Sequence, residues 1–160
     1  MFNSYNTLLL LVIALVLSFS IPLKAQDTAD DYLNAHNRAR ATVNVSPLIW
    51  SQTLAGYAQA YAAKRRDCEI ILSGGPYGEA ILSADIDFSA EQFVRIFFDE
   101  GSDYDYATNT CRAGKSCDGY KQILFRKSVS LGCAKVRCDN GGSFTICSYD
   151  PPVNLSERPF

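Results

Sequence analysis

Val129-Ser130-Leu131-Gly132-Cys133-Ala134-Lys135-Val136-Arg137-Cys138-Asp139-Asn140-Gly141-Gly142-Ser143-Phe144-Thr145-Ile146-Cys147-Ser148 is the stretch whose reading decides the fold. Val129, Leu131 and Cys133 alternate with Ser130 and Gly132, and residues 135–138 continue an extended run. Asp139-Asn140-Gly141-Gly142 supplies residues that tolerate positive φ, and Phe144, Ile146 and Ser148 alternate on the return. The stretch predicts a β-hairpin with cysteines on both arms.

Upstream the period changes to that of helices. Thr28-Ala29-Asp30-Asp31 has a capping-box pattern and opens a helix through about Thr42, with Tyr32, Leu33, His36 and Ala39 on one side. Ser51 caps a second helix in which Leu54, Tyr57, Ala58, Tyr61 and Ala62 share a face. Lys64-Arg65-Arg66 suit the negative end of its dipole. Ser89 with Gln92 opens a third, which carries Phe93, Ile96 and Phe97 inward and ends before Gly101. Helices first and a stapled hairpin last imply an α+β domain, with helices packed on a small antiparallel sheet.

All six cysteines, Cys68, Cys111, Cys117, Cys133, Cys138 and Cys147, follow the second helix. None is spaced Cys-x-x-Cys, and His36 is the only histidine, so a disulfide framework is read in preference to a zinc site. Spacing alone leaves about 15 pairings open. Residues 8–23 form an apolar run of roughly 15 residues, shorter than a membrane span needs, followed by the small residue Ala25. Residues 1–25 are therefore read as a secretory signal peptide cut after Ala25. The full chain of 160 residues has a net charge of −2, and loss of the leader removes Lys24 and makes it more acidic. With no basic stripe, nucleic acid is not an expected partner.

The placed pieces resemble the plant pathogenesis-related proteins of class one, members of the CAP superfamily (cysteine-rich secretory proteins, antigen 5 and pathogenesis-related proteins). The matching blocks run in order: Tyr32-Leu33-Asn34-Ala35-His36-Asn37 with Ala39-Arg40; Pro47-Leu48 and Trp50; Tyr57-Ala58 and Tyr61-Ala62; Gly75-Pro76-Tyr77-Gly78-Glu79. They continue with residues 104–111, Tyr120 with Gln122, Arg126-Lys127-Ser128-Val129, Leu131-Gly132-Cys133-Ala134 and Cys138-Asp139-Asn140-Gly141-Gly142, and end at Cys147-Ser148-Tyr149-Asp150-Pro151-Pro152. The resemblance implies a three-layer α-β-α sandwich over residues 26–150. It also selects one pairing: Cys68 with Cys138, Cys111 with Cys117, and Cys133 with Cys147.

Many such proteins hold a divalent metal in a central cavity between two histidines and two acids. Glu79 and Glu100 match the acids, but Leu72 and Gly119 stand at the histidine positions. Two carboxylates fall short of the ligands zinc prefers, so no metal and no cofactor is expected, and the acids are read as remnants. If they share a cavity, burial and mutual repulsion should raise their pKa. His36, within the helical segment that defines the family, is read as structural, which leaves no general base for a serine. A hydrolase using Glu79 and Glu100 is the weakest alternative. No catalytic residue is assigned.

The resemblance instead implies a secreted, monomeric, non-catalytic defence protein of the apoplast or vacuole. It would bind sterols or other lipids of pathogen membranes and so act against fungi and oomycetes. Tyr104 and Tyr106, in a loop before Cys111, are the candidate lipid-binding residues, with apolar faces and polar tips suited to a sterol bearing one hydroxyl. The alternative is a precursor: relatives release the tail that corresponds to residues 151–160, here after Asp150, as a peptide for a cell-surface receptor. Three prolines make that tail extended, exposed and open to proteases. Ser148 and Phe160 depart from the residues usual at those positions. Asn44-Val45-Ser46 and Asn154-Leu155-Ser156 are glycosylation sequons, the first weakened by Pro47.

Overall fold

A computed structural model describes residues 27–160. The leader and its cut at Ala25 lie outside the described residues. Helix α1 (Ala29–Thr42) starts where the capping box places it: Thr28 Oγ1 accepts from Asp31 N at 3.2 Å and the Asp31 carboxylate accepts from Thr28 N at 2.8 Å. Its buried face is Tyr32, Ala35, His36 and Arg40, not Leu33 and Ala39, which sit half-buried on its flanks. Strand β1 (Ile49–Trp50) leads into α2 (Gln52–Ala62), capped by Ser51 Oγ on Leu54 N. Leu54, Ala58 and Ala62 are buried there, with Tyr57 and Tyr61 half-buried beside them.

Strand β2 (Gly78–Ala84) precedes α3 (Ala90–Asp99), whose cap is the Ser89–Gln92 box. Ala90, Phe93, Val94 and Phe97 centre its apolar stripe, so Ile96, expected inward, lies roughly 110° round the helix from that centre and is exposed. Strands β3 (Tyr104–Asp105) and β4 (Thr110–Cys111) make a short ribbon. Helix α4 (Asp118–Leu124) follows, buried from Tyr120 onward. The chain closes with β5 (Ser130–Arg137) and β6 (Ser143–Asp150).

The main sheet has the order β1-β5-β6-β2. The predicted hairpin is its centre, with Cys133 directly opposite Cys147. The sheet is mixed rather than antiparallel, because β1 pairs parallel to β5 through Ile49 N to Val129 O (3.0 Å) and Ser51 N to Leu131 O (2.8 Å). Val129, read as the start of the alternation on the first arm, precedes the strand and is exposed. Strand β6 is buried along nearly its whole length, since helices cover both of its faces.

Helix α2 packs on one face of β5 and β6, while α1, α3 and α4 form the layer on the other, giving the α-β-α sandwich. Adjacent residues of β6 serve the two cores, as the two-residue period of a strand requires. Cys147 and Tyr149 join Tyr32, Phe93, Phe97, Ile123 and Leu131, whereas Phe144 and Ile146 join Ala58, Ala62 and Ile81. Gly132 admits the α2 backbone so closely that a β-carbon there would overlap Ala55 N. The disulfides are Cys68–Cys138, Cys111–Cys117 and Cys133–Cys147, and no described cysteine is free. No described helix is long and apolar enough to cross a membrane.

Candidate functional site

Glu79 near the start of β2 and Glu100 after the end of α3 line one cleft of about 510 Å³, and Leu72 and Gly119 line it too. The fold thus brings together the four positions singled out in the sequence. Their chemistry does not suit a metal. Gly119 is packed so closely on Phe97 that any β-carbon there would overlap the ring. Leu72 offers only an exposed alkyl group. Glu79 accepts from Ser73 N (2.8 Å) and from the Ser73 hydroxyl, and Glu100 accepts from Tyr120 N (2.9 Å). Both acids are therefore occupied in holding backbone. No group of three or more His, Cys, Asp or Glu able to hold a metal occurs among the described residues. Burial raises the Glu100 pKa, and the carboxylate that adds to the rise is Asp118, not the Glu79 expected from the sequence.

His36 is fully buried in the α1–sheet interface. A carbonyl can only accept, so Nδ1 carries the proton and donates to Tyr32 O at 2.7 Å; Nε2 then accepts from the Tyr149 hydroxyl at 2.7 Å. Burial pushes the His36 pKa down to about 4 and the Tyr149 pKa up. In the unfolded chain the imidazole titrates near ~6.5. The unfolded state therefore binds more protons between these values, and stability falls as pH drops through that window. The expected loss is about 2 kcal/mol between pH 7 and pH 5. Denaturant midpoints of the wild type and His36→Gln across that range check it, since the variant should lose this part of the pH slope.

The second candidate region is the tyrosine loop. In the β3–β4 ribbon the Tyr104 hydroxyl donates to Asn109 Oδ1 at 2.5 Å, and Asp105 accepts from Ala107 N (2.9 Å) and Thr108 Oγ1 (2.8 Å). The Cys111–Cys117 bridge ties the ribbon to the start of α4. Three tyrosines gather here, with Tyr104 at 6.3 Å from Tyr106 and 5.5 Å from Tyr120 between ring centroids. Burial raises the pKa of Tyr104 and of Tyr120.

The tail does not hang free as its composition suggests. The Phe160 ring stacks on Tyr106 at 5.0 Å and the Tyr106 hydroxyl donates to Phe160 O. Arg158 donates to Tyr106 O (2.8 Å) and Ala107 O (2.7 Å). Pro159 is buried and its carbonyl accepts from Arg126 N at 2.7 Å. Lys121 Nζ donates to Leu155 O, and Asn109 Nδ2 to Ser156 O at 3.0 Å. Prolines stiffen the segment, but specific donors and acceptors on the domain hold it. Asp150, the candidate processing residue, ends β6 with its carbonyl accepting from Val129 N at 2.9 Å. Lys121, Asn109 and Arg158 carry this docking, and none was singled out from the sequence.

Comparison with known proteins places these features in a family. Residues 33–149 match the model of the CAP cysteine-rich secretory protein family. The chain is 45% identical to pathogenesis-related protein 1 of Arabidopsis thaliana over 160 residues, covering 99% of this chain and 98% of that one. It is 44% identical to pathogenesis-related protein 1A of Nicotiana tabacum over 156 residues, covering 96% and 93%. Among solved structures, Schistosoma mansoni venom allergen-like protein 4 superposes with a TM-score of 0.67 at 21% identity, covering 81% of this chain and 90% of that one. NaASP2, solved with Zn2+, gives 0.67 at 19% identity, covering 82% and 84%. The sandwich, the three disulfides and these matches together show that the chain belongs to the CAP family, among the plant pathogenesis-related proteins of class one.

Proposed function

We propose that this chain is a secreted plant defence protein that acts by binding a sterol or similar membrane lipid at its tyrosine loop, not by catalysis. The observation that carries the reading is the cluster of Tyr104, Tyr106 and Tyr120 on a disulfide-braced ribbon, beside the polar Asn109. Aromatic faces suit a fused apolar ring system, and the tyrosine hydroxyls, which can accept while they donate, suit its single hydroxyl. The leader and the disulfides favour the extracellular compartment. The lone histidine is committed to the core through both ring nitrogens, which favours binding over nucleophilic chemistry.

Sterol titration of the oxidised, processed protein tests the reading, beside Tyr104→Ala/Tyr106→Ala. Saturable binding that weakens about tenfold in the variant is expected from the loss of two ring contacts. Absent binding, or binding the variant retains in full, would overturn it.

A second reading, a peptide precursor, draws on the tail's position beyond Cys147. No disulfide ties residues 151–160 to the domain, so a single cut after Asp150 would leave them held only by non-covalent contacts.

A further inference from the structure

The contacts of the tail have the form of ligand recognition. The domain presents backbone and side-chain donors, Arg126 N, Asn109 Nδ2 and Lys121 Nζ, to three successive tail regions at Pro159, Ser156 and Leu155. It also presents two carbonyls, those of Tyr106 and Ala107, which together accept from the Arg158 guanidinium. A planar fork of donors meeting two adjacent acceptors sets orientation as well as attraction. The terminal aromatic ring then stacks on Tyr106 and lies edge-on to Tyr120 at 6.4 Å. Lys121 is nearly fully buried, with the Asp118 carboxylate close enough to favour its charge, and its ammonium is shared between Asn109 Oδ1 (2.8 Å) and the tail carbonyl of Leu155. Removing the tail would take one of those acceptors from the ammonium, and water or another ligand would have to replace it.

We infer that the β3–β4 ribbon and helix α4 form a peptide-binding groove for a segment carrying Arg-Pro-Phe, that the chain's own tail is its resident occupant, and that this tail competes with apolar ligands for the face of Tyr106. The groove rests on the tail contacts alone; the competition rests on the lipid reading given above. Tyr106 remains 41% exposed with the tail in place, so an apolar ligand meets only part of its ring until Phe160 leaves. A peptide cut from the chain after Asp150 would stay docked until displaced, because its partners lie on the far side of the cut.

Hydrogen exchange and dye binding on the full processed chain test the inference. The variants are Arg158→Ala/Phe160→Ala and, as a milder control of folding, Arg158→Ala alone. Both substitute residues at the terminus, and an unchanged thermal midpoint confirms an intact domain. The double variant should exchange its amides at 153, 156 and 157 about tenfold faster than wild type. It should bind the apolar fluorophore 1-anilinonaphthalene-8-sulfonate more strongly, and a synthetic peptide of residues 151–160 should reverse that gain. Unaltered exchange would overturn the groove, and no gain in dye binding, or a gain the peptide leaves in place, would overturn the competition for Tyr106. Sterol separates the two readings. If dye and peptide behave as expected but sterol binds neither form, the groove stands, while the lipid reading and the competition for sterol fall. If sterol binds wild type and variant equally, the lipid reading stands and the competition falls.

Discussion

Arg40→Met should destabilise the protein by on the order of 4 kcal/mol, a larger effect than any exposed substitution in the chain. Arg40 is fully buried, and its guanidinium donates to four carbonyls: Ser46 O (2.8 Å), Ile123 O (3.1 Å), Phe125 O (3.0 Å) and Ser128 O (3.0 Å). Burial lowers its pKa to about 10, which leaves it cationic at neutral pH. Methionine fills much of the volume but leaves those acceptors without their donor, and each buried acceptor so abandoned costs about 1–3 kcal/mol, partly offset by relaxation and water. Lysine should recover only part of the loss, because an ammonium cannot span four acceptors laid out for a planar fork. The consequence reaches the candidate site. Three of the four carbonyls belong to residues 123–128, the segment that ends α4 and holds the tail through Arg126. Urea denaturation of Arg40→Met, Arg40→Lys and wild type measures the effect, and a loss below about 1 kcal/mol for methionine would contradict this role.

Removing the Cys68–Cys138 bridge is the second large effect expected. The two residues are 70 apart in sequence, so the bond closes a long loop in the unfolded chain. Loop-closure entropy puts its contribution at roughly 4 kcal/mol. Cys68→Ser/Cys138→Ser should lose stability of that order, whereas Cys111→Ser/Cys117→Ser, whose separation is 6, should lose about 2 kcal/mol less than the long bridge does. Thermal midpoints of the two pairs check the ranking, and equal losses would contradict it. On the lipid-binding proposal the shorter bridge matters more for function, because it braces the ribbon that carries Tyr104 and Tyr106.

The sheet's centre was legible in the sequence because its signals are local. Alternation on two arms, a turn that tolerates positive φ and cysteines at matching positions are sufficient to place β5 and β6. The helix starts were legible for the same reason: caps at Thr28, Ser51 and Ser89 bond within three residues. What escaped depends on distant partners. Helix α4 is too short and too evenly buried to show a period. Strand β2 reads ambiguously because its pairing with β6 spans the intervening helices. Arg40 stands in the sequence only as part of a family-matching block, since nothing nearby reveals four carbonyls converging from residues 46–128. The cleft positions Leu72, Glu79, Glu100 and Gly119 were found through family resemblance, and the structure adds the reason a metal does not fit, the Phe97 ring against Gly119. The tail's exposure follows from its composition, and most of it is exposed, but its anchoring does not, because prolines and polar residues describe stiffness and not the groove that receives Pro159 and Phe160.

The most direct test of the proposed ligand site is amide chemical-shift mapping of the isotopically labelled, oxidised protein during titration with sterol. Binding at the tyrosine loop should move amides of residues 104–111 and 120–122 together with those of the tail from 153 onward. Amides beside His36 in the core should stay unmoved. An absence of shifts at saturating sterol, or shifts confined to the surroundings of Glu79 and Leu72, would contradict the site.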